Sequence, residues 1–520
     1  MIWTIAKKEF LEKIFDFRVT ISFVIAIILA TVVSVVVGDE YATQKAKYDA
    51  MVAEAQGIGK EIKVYSQFRS EVVLPPSPLC VFSKGIDLPT PLAVPISPQR
   101  VPKYDVSLAV ENPLMKVFDS LDLVTVFRIL FALLAILLTF DTISGEKELG
   151  TLRLLLSSQV SRRQMLVGKA AGSIMVLAAV ATVTTAFGLL TVQAFANLLF
   201  SFHQFVQASL FLVTTILYLT IFAMIGTFTS VICQRSSTSL VLALFAWFFI
   251  AVVQPEINTF LASELSPVSK LEEIQSALDQ PSQAVYEEFG RLEKENASFL
   301  NDPTGYKKRF RGVHLQTGVG SAKIYPVVTD GDFPFLEYLI KQVALQRKLV
   351  DAASEEWRIY HHLYIEPLDK QLAIRRSLDN FSPAALYRRA ASLFSSTDIV
   401  HYEGFFDNAR KYRNECVAYL DEKGVFTSNA QLYFSRLNKA DVNPVDTERR
   451  VAQYQADKNS IPWVEQQSPL DLRDAPVFRA STMSILTLIE RAGSTFALML
   501  LYLLLMAALT FHYVEKYDIR

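Results

Sequence analysis

The chain has 520 residues, and its 51 Lys and Arg nearly balance its 52 Asp and Glu, so bulk charge gives it no attraction to nucleic acid. Its three cysteines, Cys80, Cys233 and Cys416, exclude a disulfide-rich ectodomain and a four-cysteine zinc site. Hydrophobic residues make up 51% of the chain, mean hydropathy is +0.27, and the apolar residues are gathered into long runs, the composition of a membrane protein.

At the start, Trp3, Ala6, Phe10, Ile14 and Phe17 recur every three or four residues, with Lys7, Glu9, Glu12, Lys13 and Asp16 elsewhere. This predicts an amphipathic helix over 1–18, lying on the inner membrane surface or extending the first span. Residues 19–37 then carry no charge. At ~1.5 Å per residue they cross a hydrocarbon layer of ~30 Å. The run is longer than a signal-peptide core and has no small-residue cleavage site after it, so it reads as an uncleaved anchor. Further spans are predicted at 123–140, 169–196, 208–231, 239–254 and 494–511, six in all.

Lys7, Lys8, Lys13 and Arg18 precede the first span; Lys147, Arg153, Arg162, Arg163 and Lys169 lie between the second and third; Arg235 follows the fourth; Lys516 and Arg520 end the chain. An even number of spans puts all of them on one face, cytoplasmic by the positive-inside rule, with both termini there. Two large pieces, 38–122 and 255–484, then lie outside. The Pro-rich LPPSPLCVFSKGIDLPTPLAVPISPQRVPKYD in the first predicts extended chain or short strands. LEEIQSALDQPSQAVYEEFGRLEKE, PAALYRRAASLF and GFFDNARKYRNECVAYLDEK in the second have helical spacing. The fold class expected is a polytopic α-helical membrane protein with a large, mostly helical extracytoplasmic domain onto which the first piece packs. Cys80 and Cys416 both fall outside, but nothing in the sequence positions them to pair.

Chemistry concentrates in the second inner segment, DTISGEKELGTLRLLLSSQVSRRQMLVGK, residues 141–169. It is too long for a turn, Leu149, Leu152, Leu155 and Leu156 alternate with Glu146, Lys147, Glu148 and Arg153, and Gly145 and Gly150 allow breaks. Two readings follow from the residues: a docking element presenting charge to a soluble partner, or a positive-inside loop serving topology alone. The segment resembles the hallmark of ABC-2 type permeases, an acidic E-K-E-x-G-T-L after the second span, then L-L-x-S-x-x-x-S-R and a G-K opening the third. Asp141, Gly145, Glu146, Lys147, Glu148, Gly150, Thr151, Leu152, Leu155, Ser157, Ser161, Arg162, Gly168 and Lys169 carry the resemblance; Gln159 stands where family members often have Pro. The resemblance implies that Glu146, Glu148, Gly150, Thr151, Arg162 and Lys169 couple to a nucleotide-binding subunit. SPAALYRRAASLFSSTDIVHYEGFFDNARKYRNECVAYL is similar to the outer region of a subfamily with a long loop between its fifth and sixth spans, where Thr397 or Asp398 would cap a helix through His401 and Phe405.

The sequence has no G-x-x-x-x-G-K-[ST]; Gly168-Lys169 lacks the earlier Gly, and Gly57, Gly59 and Lys60 are wrongly spaced. No catalytic residue, metal ligand or cofactor is therefore expected on this chain, with ATP and Mg on the partner. The resemblance implies two copies of a separate ABC ATPase, a second permease copy or paralogue, surrounding lipid, and a bacterial cytoplasmic (inner) membrane. Arg128, Gln254, Glu256, Glu490 and Arg491 lie in or beside the spans, where exposure to lipid is costly, and are candidates for the substrate path or the dimer interface, or else sit at headgroup level. Pro255 is expected to end or kink the fifth span. The adjacent His361 and His362 diverge on a helix and have no ligand cluster around them. A rival function is a membrane-anchored receptor or assembly factor acting through the outer domain, although six spans exceed what anchoring requires.

Overall fold

A single glycine costs a helix only about 1 kcal/mol, and after Gly38 no Pro or further Gly follows until Gly57. The computed structural model describes residues 2–58, 70–85, 93–103, 122–152, 161–297, 313–317, 320–324, 333–423, 426, 472–479 and 483–516. In it a short helix α1 (Ile2–Phe15) leads into α2 (Phe17–Ile58), which carries the first span and continues through a polar, Ala- and Lys-rich stretch with a Lys45–Asp49 pair one turn apart at 2.8 Å. The helix thus continues past the first span as far as Ile58. Extended structure comes later, as the antiparallel pair β1 (Ser70–Val73) and β2 (Ala93–Ile96), with Val72 opposite Val94.

The second span opens with α3 (Leu123–Val126), whose cap Asp122 accepts the Thr125 backbone N–H at 2.7 Å. It passes through a π turn, Phe127–Phe131, into α4 (Ala132–Thr139), then bends into α5 (Ser144–Glu148). The third and fourth spans, α6 (Arg162–Ala196) and α7 (Phe202–Ile232), each start with a reciprocal capping box, Ser161 with Gln164 and Ser201 with Gln204. The fifth is α8 (Ser236–Trp247), a second π turn, Phe248–Val253, and α9 (Gln254–Leu265). Pro255 does not end this span. It occupies the first turn of α9, where the wide π turn before it leaves no intrahelical bond for the missing N–H to break. The sixth is α15 (Ile485–Lys516). Among the described residues, six helical segments are long and apolar enough to cross a bilayer. On α2, Ile21, Ile25, Ile28 and Val32 are exposed while Phe23, Ala26, Ala30 and Val33 are buried, so one side faces the bundle and the other is left apolar for lipid.

The region between α9 and α15 is mainly helical: α10 (Leu271–Glu295), α11 (Phe333–Tyr360), a π turn (His361–Ile365), α12 (Glu366–Asp379), α13 (Pro383–Phe394) and α14 (Ile399–Glu422), with a small hairpin of β3 (Val313–Thr317) and β4 (Gly320–Ile324). Tyr360, Tyr364, Phe405 and Phe406 form a core that also takes in Val72, Val94 and Ile96, so the β1–β2 pair is built into this domain. Arg413 reaches the Pro98 carbonyl, and the Arg410 guanidinium lies 4.0 Å over the Trp357 ring. Asp398 caps α14 as its sequence predicts, accepting the His401 backbone N–H.

Helix α13 is placed differently. Its Leu386, Tyr387, Ala390, Ala391 and Phe394 belong to the core of the spans, not to that of the domain between the fifth and sixth spans. Tyr387 stacks on Tyr218 of α7, centroids 4.4 Å apart, and shares a 3.0 Å hydrogen bond with Thr215. The helix is a plug between α7 and α15.

Cys80 packs against the span core, whereas Cys416 is buried in the core of the domain between the fifth and sixth spans, and both are free thiols. Burial pushes the Cys416 thiol up to about 11, with Tyr412 pulling it partly back. Since the thiolate is the reactive form, Cys416 should resist maleimide at neutral pH until the chain is unfolded, which intact-mass measurement before and after denaturation will show.

Candidate functional site

The third span begins Gly168-Lys169-Ala170-Ala171-Gly172, a small-x-x-x-small spacing that leaves a groove on one face of α6. Helix α1 lies in it: a Cβ on Gly168 would sit 2.7 Å from the Ile5 Cβ, and one on Gly172 would sit 2.6 Å from the Glu9 Cβ and 2.8 Å from the Ala6 carbonyl oxygen. The face of α1 that packs is therefore Ala6 and Glu9. Trp3, Ile14 and Phe17 of the predicted apolar stripe are exposed.

Lys169 projects from between the two glycines. It is 9% exposed, and its Nζ lies 3.5 Å from Glu9, itself 6% exposed, and 3.1 Å from Glu146 of α5. One buried ammonium thus joins the surface helix, the loop and the third span. Each of the three ions depends on the other two, because removing a partner from a buried pair leaves a desolvated charge.

The remaining loop charges are distributed over the ends of other helices. Lys147 donates to the Val231 carbonyl and, at 2.9 Å, to that of Cys233, closing the end of α7. Ser230 Oγ accepts the backbone N–H groups of Ile143 and Ser144, both at 2.9 Å. Glu148 accepts from the Ser236 hydroxyl at 2.7 Å at the start of α8, where the helix dipole favours an anion. Arg162 donates to the carbonyls of Val514 and Glu515 at 3.1 and 3.0 Å, at the end of α15. Lys13 pairs with Asp141 at 3.3 Å. Beyond α5 the backbone turns at Gly150 with φ +71°, a left-handed position suited to glycine, and Leu149 is 79% exposed beside it. Thr151 turns back to hydrogen-bond Glu146. Arg153, Leu155, Leu156, Ser157 and Gln159 lie outside the described residues.

Of the six loop candidates, Glu146 and Lys169 meet directly, Glu148 and Arg162 each secure a different span, and Gly150 and Thr151 shape the tip. Glu9 was not legible as a member of the site. The available signal was the glycine spacing around Lys169, which requires a neighbouring helix to approach closely.

At the opposite end of the bundle, Arg128 is buried on the first π turn and lies within electrostatic range of Glu256. Gln254 Nε2 donates to the Phe381 carbonyl at 2.7 Å. Glu490 and Arg491 are exposed on the first turns of α15, away from that cluster. His361 and His362 both approach Glu366, at 3.6 and 3.1 Å, and no group of three potential metal ligands occurs among the described residues.

Six spans, a surface helix seated at the head of the third, and a folded loop between the second and third define a transporter membrane subunit. The family model for ABC-2 family transporter proteins matches residues 3–517, and the chain belongs to that family. It is a multi-pass permease subunit of an ABC transporter, and the family implies an ABC ATPase as its partner. No curated protein matches the chain.

Seating α1 needs the groove to stay empty. Gly172→Val should lift α1 off α6, read as cleavage at Lys7 and Lys8 by trypsin about tenfold faster than in the wild type, because only the docked helix holds its backbone closed.

Proposed function

We propose that the chain is the membrane-spanning permease of an ATP-driven exporter, whose residue 141–169 loop receives the stroke of a separate nucleotide-binding subunit. It sits in a bacterial cytoplasmic membrane with both termini inside, and the working unit has two ATPase copies and a second permease copy or paralogue, with ATP and Mg held by the ATPases. The observation that carries the reading is the buried Glu9–Lys169–Glu146 triad behind the exposed Leu149–Thr151 tip. A displacement of the tip is passed to α1 and α6 through that triad, and to α7, α8 and α15 through Lys147, Glu148 and Arg162. Rigidly connected elements move as units, which loops tied only to solvent do not.

The second copy needs a face. Span windows α8–α9 and α15 are the least buried of the six, and α15 presents Glu490 and Arg491 together with exposed Leu486 and Ile489. Single charges beside apolar residues suit a protein contact better than lipid.

Two substitutions separate docking from transmission. Leu149→Asp should release the co-purifying ATPase while leaving Tm unchanged, since Leu149 touches little of its own chain. Lys169→Met leaves two carboxylates facing each other and should cost about 3–5 kcal/mol of stability. The ATPase should still co-purify, but its turnover should no longer respond to the permease. Wild-type ATPase response in both variants, measured on complexes in lipid nanodiscs, would reject the loop as the coupling element. Purification from native membranes with outer proteins and no ATPase would favour the receptor function.

A further inference from the structure

At the end of the bundle away from the termini, Arg128 is only 5% exposed, and its Nε and Nη1 have no hydrogen-bond partner. A guanidinium has five N–H donors and remains charged, so burying them unpaired is unfavourable. Glu256 and Asp122 lie within electrostatic range, but neither gives Nε or Nη1 a hydrogen bond. The two carboxylate oxygens of Asp122 are occupied by the backbone N–H groups of Thr125 and Lys84, at 2.7 and 3.0 Å. Arg388 of α13 adds a second positive charge within electrostatic range of Arg128. Asp379 is taken by Arg375 at 3.8 Å and by Asn258 at 3.0 Å. Burial, reinforced by Arg388, pushes the Arg375 guanidinium down to about 10 although Asp379 and Glu256 oppose it.

The backbone beneath Arg128 is held by other groups. The π turn frees carbonyls, and two aromatic donors take them: Tyr218 OH donates to the Arg128 carbonyl at 2.8 Å, and Trp247 Nε1 donates to that of Ile129 at 3.0 Å. The π turn of the fifth span and helix α13 both pack against this one. The result is a positioned, dehydrated cation with donors to spare. Beside it the π turn of the fifth span exposes Phe248 and Phe249, and Phe381, whose carbonyl accepts from Gln254 at the end of that turn, is exposed as well.

We propose that Arg128 and Arg388 bind an oxyanion, a phosphate or carboxylate, carried as the headgroup of an amphiphile whose chains lie along Phe248, Phe249 and Phe381. Guanidinium groups pair with such oxygens through two parallel N–H bonds, which would satisfy the donors that the protein leaves open. This site is independent of the loop at the other end, so its failure would leave the coupling function standing.

Trp247, bonded one residue from Arg128, is a built-in reporter. The full-length chain in detergent is titrated with dioctanoyl phosphatidic acid, dioctanoylglycerol and inorganic phosphate, following tryptophan emission. The expected result is a saturable change with phosphatidic acid, none with dioctanoylglycerol, loss of the signal in Trp247→Phe, and affinity at least tenfold weaker in Arg128→Gln and in Arg388→Gln. Saturation by inorganic phosphate at equal concentration would keep the oxyanion site but assign it to a free anion. No response to either anion, or responses unchanged in both arginine variants, would overturn the proposal. Arg388 is half-buried, so Arg388→Gln keeps the test available if the Arg128 variant fails to fold. Without ligand, Arg128→Met should match or exceed the wild-type Tm, since it replaces an unpaired buried charge. A lower Tm would mark Arg128 as a structural group and count against the site.

Discussion

The terminal face of this permease depends on one lysine held between two carboxylates in a place that water barely reaches. Lys169 can be buried only because Glu9 and Glu146 both approach it, and Glu9 can approach only because Gly168 and Gly172 have no side chains. Steric and electrostatic requirements therefore coincide: the glycines admit the helix, and the charge holds it. With α1 seated, α5 is fixed against α6, and from α5 the hydrogen bonds of Lys147 and Glu148 run to α7 and α8. A loop between two spans becomes a junction among most of the bundle.

The other end is organised by backbone geometry more than by ion pairs. Two π turns, Phe127–Phe131 and Phe248–Val253, meet beside α13, and the first widens its helix enough to release carbonyl groups for side-chain donors. Tyr218 and Trp247 meet that demand, and the stacking of Tyr387 on Tyr218 locks α13 among the spans. At this end the buried Arg128 has Asp122 and Glu256 within electrostatic range but leaves Nε and Nη1 without a hydrogen bond, unlike the triad, where two carboxylates contact one ammonium directly. The two ends thus differ in chemistry: a self-contained ionic joint at one, and at the other a buried guanidinium with donors left over.

Much of the architecture was legible in the chain. Bilayer thickness translates directly into run length, so the six apolar stretches lie in six helices long enough to span, and Asp398 announces a helix start through a side chain that bonds to its own backbone; the capping boxes at Ser161 and Ser201 came from the structure. The residue 141–169 segment stood out by pattern, and family membership accords with the resemblance it carries. The placement of α13 was not legible. PAALYRRAASLF has the spacing of any amphipathic helix, and its two arginines argue for a wet surface, yet Tyr387 and its neighbours are enclosed by α7 and α15. The pattern reports which face is apolar but not what covers it.

The sequence by itself determined the spans, the Asp398 cap, the loop and the class of protein, because each follows from interactions within a short stretch or from the thickness of a bilayer. Tertiary structure alone decided that Glu9 belongs with Lys169 and Glu146, that Arg128 is buried without a full set of partners, and that Pro255 passes inside a continuous span. Those outcomes depend on pairs of residues up to 160 positions apart and on the local register of a π turn. Nothing in a local window encodes which distant group will fill a groove, since that choice is made by the packing of the whole bundle.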